Sequence, residues 1–408
     1  MRYSITAPSS IFTTIQLPPS KSISNRLLIL NALSMSPYPI ENLSDCEDTM
    51  VIVNAFQNES NIFDMKGSGT AMRFMTAFLA STEGEWIIKG NERMHNRPID
   101  PLVKVLRALG AEVTYLEKEG FPPLKLKGGK LKGGEIYLAG NISSQFASAL
   151  LMVAPIMENE LIIHLENEVI SKPYIHLTLG LMQEFGIKSF WEDKEIRIKP
   201  QQYVPKQMKV ESDWTSASYW YSMAALAENA EIKLLGLHEK SLQGDCFLVN
   251  LFSEIGISSE FVKQGVILRK TEATAKKLFH NFVNEPDLAQ TFVALSCFKN
   301  IPFTFSEVQS LKIKECDRIA ALHDECKKLG YNIEIDENGL MEWNGEKSKR
   351  PTSYIIETYD DHRMAMAFTP ACQRFDKIEI ENPEVVNKSY PNFWKDIQSA
   401  GFTINEIL

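Results

Sequence analysis

Phe146-Ala147-Ser148-Ala149-Leu150-Leu151-Met152-Val153-Ala154 is apolar on nearly every side of the helix it would form. Such a helix has to lie inside a protein. Working outward, the helix would run from Ser143 to Met157, and five further stretches share its character: Ser24 to Leu33, Gly69 to Ala80, Thr215 to Ala227, Pro286 to Phe298 and Asp360 to Cys372. Each opens on polar or charged residues: Ser20-Lys21-Ser22, Gly67-Ser68-Gly69-Thr70, Ser143-Ser144-Gln145, Asp213-Trp214-Thr215-Ser216, Glu285-Pro286-Asp287 and Asp360-Asp361-His362-Arg363. A buried helix with a polar first turn offers free N–H groups and the positive end of its dipole at one place, which attracts anions.

Between these stretches recurs a second element, an amphipathic segment that ends in a Leu-like residue and glycine before a short β-like run. It appears around Gly110, Gly186, Gly256, Gly330 and Gly401, at spacings of 76, 70, 74 and 71 residues. The glycines read as helix C′ caps, where a positive φ costs glycine nothing. A period of roughly 70 residues divides 408 into about six units. Asp48 to Phe63 reads as the sixth copy, without the glycine. Alternating runs such as Ile136-Tyr137-Leu138, Leu161 to Leu165 and Glu195 to Ile198 read as half-buried strands. Six β/α units suggest an α/β chain of two domains with three units each, and the Pro- and Gln-containing stretch Lys199 to Pro205 near the midpoint hints at a boundary.

With 44% hydrophobic and 23% charged residues the chain can bury a full core, and disorder, collagen and coiled coil are excluded. Forty-three basic against 52 acidic residues give a net charge of −9, so nothing global suggests nucleic acid, and an anion site must be a local concentration of Lys and Arg. The longest apolar run, Ala149 to Met157, is far short of a membrane span, and no apolar h-region follows Met1. The expectation is a cytoplasmic protein with no membrane partner, whose six scattered cysteines are reduced thiols. No H-E-x-x-H, Walker A loop or His/Cys cluster is present.

Several clusters could carry chemistry, and each has a plainer reading. Lys21 and Arg26 at the mouth of the first buried helix could be solvated cations, and Arg93 and Arg97 could be surface charge before a helix that Pro98 starts. Gly67-Ser68-Gly69-Thr70 lacks the third glycine of a dinucleotide loop but permits close backbone approach to a small ligand. Ser143-Ser144-Gln145 could be a simple N-cap, which leaves the separate donor cluster Ser171-Lys172-Pro173-Tyr174 unexplained. Asp287 could be a favourable first-turn acid, Lys312 to Arg318 a solvated helix face, and Asn387 to Pro391 a loop. Taken singly these readings suffice; they do not account for all the clusters falling at equivalent points of a sixfold repeat.

Taken together, Pro19-Ser20-Lys21-Ser22-Ile23-Ser24-Asn25-Arg26, Gly69-Thr70-Ala71-Met72-Arg73, Arg97-Pro98-Ile99, Ser143-Ser144-Gln145-Phe146, Ser171-Lys172-Pro173-Tyr174, Lys314-Glu315-Cys316-Asp317-Arg318 and Asp361-His362-Arg363-Met364-Ala365-Met366 resemble, in order, the motifs of the enolpyruvyl transferase family, in the branch whose acceptor is shikimate 3-phosphate. The resemblance runs from Pro18 to Lys388. It implies two similar domains, each an inside-out α/β barrel of three β-α-β-α-β-β units with buried central helices. Residues 1–19 plus 212–408 would form a C-terminal domain serving mainly phosphoenolpyruvate, and 20–211 an N-terminal domain serving mainly shikimate 3-phosphate, with the active site in the cleft between them. The implied reaction moves the enolpyruvyl group of phosphoenolpyruvate onto the 5-hydroxyl of shikimate 3-phosphate by addition and elimination, a step of aromatic amino-acid biosynthesis and the target of glyphosate.

The resemblance also assigns residues. Lys21, Ser22, Arg26, Ser143, Ser144, Gln145, Ser171, Tyr174, Asp287 and Lys314 would hold shikimate 3-phosphate; Lys21, Gly69, Arg97, Gln145, Arg318, His362, Arg363 and Lys388 would surround phosphoenolpyruvate. An acid and a base are required, because the 5-hydroxyl loses a proton while the methylene carbon gains one. Asp287, Glu315 and Lys21 are the catalytic candidates, with Asp287 as base and Glu315 as acid. No metal or organic cofactor is required, and a monomer is expected.

The sequence departs from the family's commonest pattern at Gly67, Trp214 and Ser310, none of which removes a charge. Two alternatives are set against this reading. A transferase acting on UDP-N-acetylglucosamine relies on a cysteine in the loop corresponding to Gly90 to Ile99, which has none here. A non-catalytic sugar-phosphate binding module would do better without Asp287 and Glu315 among its anion-binding groups.

Overall fold

Among the described residues twelve α-helices punctuate the chain: α1 (Lys21–Leu33), α2 (Glu47–Gln57), α3 (Gly69–Ala80), α4 (Asp100–Ala108), α5 (Ser144–Val153), α6 (Lys172–Glu184), α7 (Trp214–Leu226), α8 (Leu248–Ile255), α9 (Ala289–Lys299), α10 (Arg318–Lys328), α11 (His362–Phe368) and α12 (Phe393–Ser399). They are seen in a computed structural model that describes residues 1–337, 339–348 and 351–407. The odd-numbered helices are the apolar stretches. α7 buries every residue from Trp214 to Ala225, and α9 every residue from Ala289 to Phe298. The even-numbered helices are amphipathic. Five of them end just before Gly110, Gly186, Gly256, Gly330 and Gly401, whose φ values of 101°, 83°, 93°, 94° and 96° are open to glycine without a Cβ clash. α2 needs no such glycine, because Asn58 leaves the helix in extended conformation, straight toward the strand Ile62–Asp64.

Two helix starts differ from the sequence expectation. Pro98 does not begin α4, which opens two residues later at Asp100 with Pro101 in its first turn. Asp287 lies in a 3-10 turn, Pro286–Leu288, ahead of α9. Farther along, α5 tightens into a 3-10 turn, Ala154–Ile156, where Pro155 supplies no N–H for the α ladder.

Among the described residues the strands form five four-stranded mixed sheets of one design, in which a parallel pair is extended by two antiparallel strands. In the sheet ordered Ile62–Asp64, Gly84–Lys89, Leu124–Gly128, Glu112–Tyr115, the path is β-α-β-α-β-β, with α3 and α4 as the crossovers. The same order recurs from Gly134–Ala139 through Phe190–Glu192 and from Leu278–Asn281 through Glu334–Ile335. Two sheets are completed from the start of the chain. Arg2–Thr6 lies between Ile378–Glu381 and Thr403–Ile407, and Ser10–Gln16 pairs in parallel with Asn229–Leu235. The sixth repeat keeps its helices, α1 and α2, but among the described residues its strand pairing is reduced to a single bridge between Glu41 and Lys209.

The chain divides into two compact units, Met1–Pro18 with Glu211–Leu408, and Pro19–Val210. Each has its own hydrophobic core. α1, α3 and α5 lie within one, with Leu27, Phe74 and Leu150 fully or almost fully buried, and α7, α9 and α11 within the other, with Trp220, Phe292 and Phe368 likewise.

Candidate active site

In the Pro19–Val210 unit, three buried helices start from serine caps. Ser20 Oγ accepts from Ile23 N–H, Ser68 Oγ from Ala71 N–H and Ser143 Oγ from Gln145 N–H. A hydroxyl satisfies one N–H of the first turn and adds no charge, so the positive dipole ends of α1, α3 and α5 stay available to an anion. Side chains tie the starts together. Lys21 Nζ donates to Asp48 Oδ2 at 3.0 Å, and Gln145 Nε2 donates to Thr70 Oγ1 at 3.1 Å. Ser22, Ser143 and Tyr174 are half-buried beside them, while Ser144 and Ser171 are buried.

Arg26 is 2% exposed, and the guanidinium is taken up inside the unit. It donates to Thr178 Oγ1 at 2.7 Å, the Ser22 carbonyl at 2.9 Å, and both Ser148 Oγ and the Tyr174 carbonyl at 3.2 Å, and it lies over the Phe74 ring at 5.2 Å. Burial pulls its pKa down to about 10, so it stays charged at neutral pH. Arg26 thus binds α1 to α5 and α6 and fixes Ser22 and Tyr174 by their backbones.

At Gly69 two arginines converge. A Cβ there would lie 2.6 Å from an Arg73 guanidinium nitrogen and 2.7 Å from one of Arg97. Arg73 also donates to the Gly69 carbonyl at 2.8 Å and lies 5.1 Å over the Phe146 ring. Three site segments carry left-handed backbone at non-glycine residues: Lys66 (φ 47°) before the Gly67 loop, Ser171 (φ 56°) at the start of α6, and Tyr359 and Asp360 (φ 52° and 53°) before α11. Such conformations cost of order 1–3 kcal/mol each and cluster at functional sites.

The unit containing Glu211–Leu408 is built differently. Its capped buried helices start from carboxylates, Asp213 Oδ1 accepting from Ser216 N–H at 2.6 Å and Asp361 Oδ1 from Arg363 N–H at 2.9 Å. An acid at the cap takes up part of the positive end of the dipole, unlike the neutral serine caps of the other unit. Positive charge comes instead from side chains held on acids. Arg318, 1% exposed, donates to Asp361 Oδ2 at 2.7 Å, Glu315 Oε2 at 2.9 Å and Asp287 Oδ1 at 3.1 Å. Burial by itself lowers its pKa, but Asp361, Glu315 and Asp287 more than offset this and raise it well beyond the ordinary guanidinium range. Arg363 donates to Asp287 Oδ2 at 2.7 Å and to Tyr219 Oη at 3.4 Å, and Lys388 Nζ lies 3.3 Å from Glu315 Oε1. His362 is buried against Asp361, with Nδ1 and Oδ1 3.5 Å apart, and Lys314 is half-buried next to Glu315.

The structure therefore gathers Lys21, Ser22, Arg26, Gly69, Arg97, Ser143, Ser144, Gln145, Ser171 and Tyr174 in one unit, and Asp287, Lys314, Glu315, Arg318, His362, Arg363 and Lys388 in the other. Sequence reading missed the groups that hold them: Asp48, Arg73, Ser148, Thr178, Tyr219 and Asp361 as an ion-pair partner. Among the described residues no group of three His, Cys, Asp or Glu side chains could hold a metal ion, all six cysteines are free thiols, and no helix is long and apolar enough to cross a membrane.

The sequence profile of EPSP synthase (3-phosphoshikimate 1-carboxyvinyltransferase) matches residues 5–58 and 53–397. A 3-phosphoshikimate 1-carboxyvinyltransferase of Bacteroides fragilis is 49% identical over 405 residues, covering 99% of each chain. One from Buchnera aphidicola is 36% identical over 94% of each. The solved EPSP synthase of Acinetobacter baumannii superposes with a TM-score of 0.80 at 22% identity, over 99% of this chain and all of that one, and so supports the shared α/β fold. On the strength of the profile and these relatives, the chain belongs to the EPSP synthase family.

Proposed function

We propose that the chain transfers the enolpyruvyl group of phosphoenolpyruvate to the 5-hydroxyl of shikimate 3-phosphate, releasing phosphate. The observation that carries this reading is one guanidinium holding two carboxylates: Arg318 bonds Asp287 at 3.1 Å and Glu315 at 2.9 Å. The chemistry needs a base for the hydroxyl and an acid for the methylene carbon, on separate groups at fixed positions. Asp287, further bonded to Arg363, is assigned as base, Glu315, further bonded to Lys388, as acid, and Lys21 as the third catalytic group.

In this reading the 5-hydroxyl oxygen attacks the enol carbon as Asp287 takes its proton, and the methylene carbon takes one from Glu315. The resulting tetrahedral adduct returns a methyl proton to Glu315 and expels phosphate, which takes up the proton held by Asp287, leaving the enol ether of shikimate 3-phosphate. The leaving phosphate and the carboxylate of phosphoenolpyruvate bring charge that Lys21, Arg97, Arg318, Arg363 and Lys388 balance, Gly69 allows close backbone approach, and His362 and Gln145 orient the molecule. Shikimate 3-phosphate is assigned to Lys21, Ser22, Arg26, Ser143, Ser144, Gln145, Ser171, Tyr174, Asp287 and Lys314. The neutral serine caps support this assignment, since they leave helix dipoles free for a phosphate monoester.

The finer architecture belongs to the same proposal. Three units per domain would close an inside-out barrel around α1, α3 and α5 in residues 20–211, and around α7, α9 and α11 in 1–19 plus 212–408. The first domain would serve mainly shikimate 3-phosphate and the second mainly phosphoenolpyruvate, in a monomer. The test is phosphate release with both substrates and with each omitted in turn. Release only with both is expected; none with both, or equal release without shikimate 3-phosphate, overturns the reading.

A further inference from the structure

One segment lays two side chains on the turn that opens α3. Asn91 N–H donates to the Lys66 carbonyl at 3.0 Å, which seats residues 90–99 on the turn 65–69. The seating is close. A Cβ on Gly90 would lie 2.7 Å from the Lys66 carbonyl oxygen and 2.6 Å from Met94 Cβ, so only glycine fits there. Arg97, near the far end of the segment, brings its guanidinium to Gly69, as described above. Asn91, at the near end, has no task in the chemistry proposed so far. A Cβ on Gly67 would lie 3.3 Å from Asn91 Nδ2, so the amide stands over the turn where residue 67 has no side chain.

The direction of that amide is fixed. Asn91 Oδ1 accepts from Met94 N–H at 3.0 Å and so holds the 3-10 turn Met94–Asn96. With the oxygen engaged, Nδ2 is the end left for a ligand, and among the described residues it has no hydrogen-bond partner. The side chain is exposed, so a small molecule can reach it. Beneath it, Ser68 takes up the N–H groups of Ala71 and Met72, and those of Gly69 and Thr70 have no partner within the helix. Donors of three kinds therefore meet at this turn: backbone N–H groups, the Arg97 guanidinium and the Asn91 amide. A phosphate or carboxylate oxygen has lone pairs for more than one of them.

We propose that Asn91 is a further binding residue for phosphoenolpyruvate, its Nδ2 donating to an anionic oxygen of that molecule. The inference rests on the assignment of phosphoenolpyruvate to Gly69 and Arg97.

The test is steady-state kinetics, each substrate varied in turn, and melting temperature for the wild type, Asn91→Ala, Asn91→Asp and Gly69→Ala. Asn91→Ala should raise KM for phosphoenolpyruvate by about tenfold, with kcat and KM for shikimate 3-phosphate within about twofold, as when a bond made equally in ground and transition state is lost. Asn91→Asp keeps the Oδ1 acceptor for Met94 and puts an anionic oxygen in place of the donor. It should melt with the wild type and raise the same KM by about 30-fold or more, through like-charge repulsion. This variant decides the matter if Asn91→Ala fails to fold. A wild-type KM for phosphoenolpyruvate in Asn91→Asp would mean that Asn91 only holds the turn, and overturns the inference. Equal rises for the two substrates overturn it too. If Gly69→Ala raises KM for phosphoenolpyruvate while Asn91→Asp does not, only this inference falls; if neither does, the assignment of phosphoenolpyruvate to this turn falls with it.

Discussion

A Cβ placed on Gly69 would lie 2.7 Å from a guanidinium nitrogen of Arg97, a residue 28 positions along the chain, and 2.6 Å from one of Arg73. Both contacts are far ends of flexible side chains, so a methyl group there is accommodated by moving the guanidinium groups. Gly69→Ala should therefore leave the fold intact and raise KM for phosphoenolpyruvate by about tenfold, equivalent to about 1.4 kcal/mol. Shikimate 3-phosphate affinity should stay within about twofold, since its assigned groups lie on other helix starts. Titrating both substrates checks this; equal losses for the two would mean a damaged start of α3.

Lys21 and Asp48 form an ion pair at 3.0 Å with side chains 15% and 7% exposed. Lys21→Met should abolish more than about 99% of turnover, as expected for a group that faces developing charge. It also strands a buried carboxylate, which costs about 3 kcal/mol at the lower end for such pairs. The double variant Lys21→Met with Asp48→Asn should recover most of the lost melting temperature and none of the activity. Recovery of activity would place Lys21 outside the reaction.

Asp287→Ala and Glu315→Ala should each lower kcat by about 100-fold or more, the range of general acid–base catalysis. Their KM values should change much less, because each group acts mainly in the transition state. Asp287→Ala removes an acceptor from both Arg318 and Arg363, and Glu315→Ala one from both Arg318 and Lys388. The freed cations should hold anionic substrates at least as tightly as before. Steady-state kinetics with each substrate varied checks this, and a rise in KM alone for both variants would refute the acid and base roles.

Periodic features of this fold are legible in the sequence and pairwise ones are not. An apolar helix such as α5, or the glycine after α6 with φ 83°, is dictated by residues next to each other in the chain. The reduction of the sixth repeat to the Glu41 and Lys209 bridge depends on segments 168 residues apart, and nothing local marks it. In the site, the residues with motifs at helix starts could be named, whereas their partners could not. Asp48 lies 27 residues from Lys21, Tyr219 lies 144 from Arg363, and Arg26 meets Thr178 across 152. The distinction between serine caps in one unit and aspartate caps in the other was present in the sequence. Its signal is the charge of the cap residue, which decides how much of a helix dipole is left for a ligand.

Asp245, 3% exposed in the 3-10 turn Gly244–Phe247, accepts a hydrogen bond from the Thr215 hydroxyl and bears on stability. Its carboxyl stands at about 7 in the fold against 3.8 for the ordinary value, so between these pH values the folded protein holds a proton that the unfolded chain has released. The favourable contribution of that proton is complete below about pH 3.8 and is lost as pH rises through 7, a change of roughly 4 kcal/mol at about 1.4 kcal/mol per pH unit. Asp245→Asn carries no titrating group and escapes this loss. At pH 8 the variant should melt about 8–16 °C above the wild type, at the scale of about 2–4 °C per kcal/mol for a unit of this size, and at pH 4 the two should melt together. Calorimetry across that range is the measurement. A variant that is less stable at every pH would mean that the Thr215 contact outweighs the buried charge, and a gap that does not depend on pH would mean that Asp245 is ionised throughout.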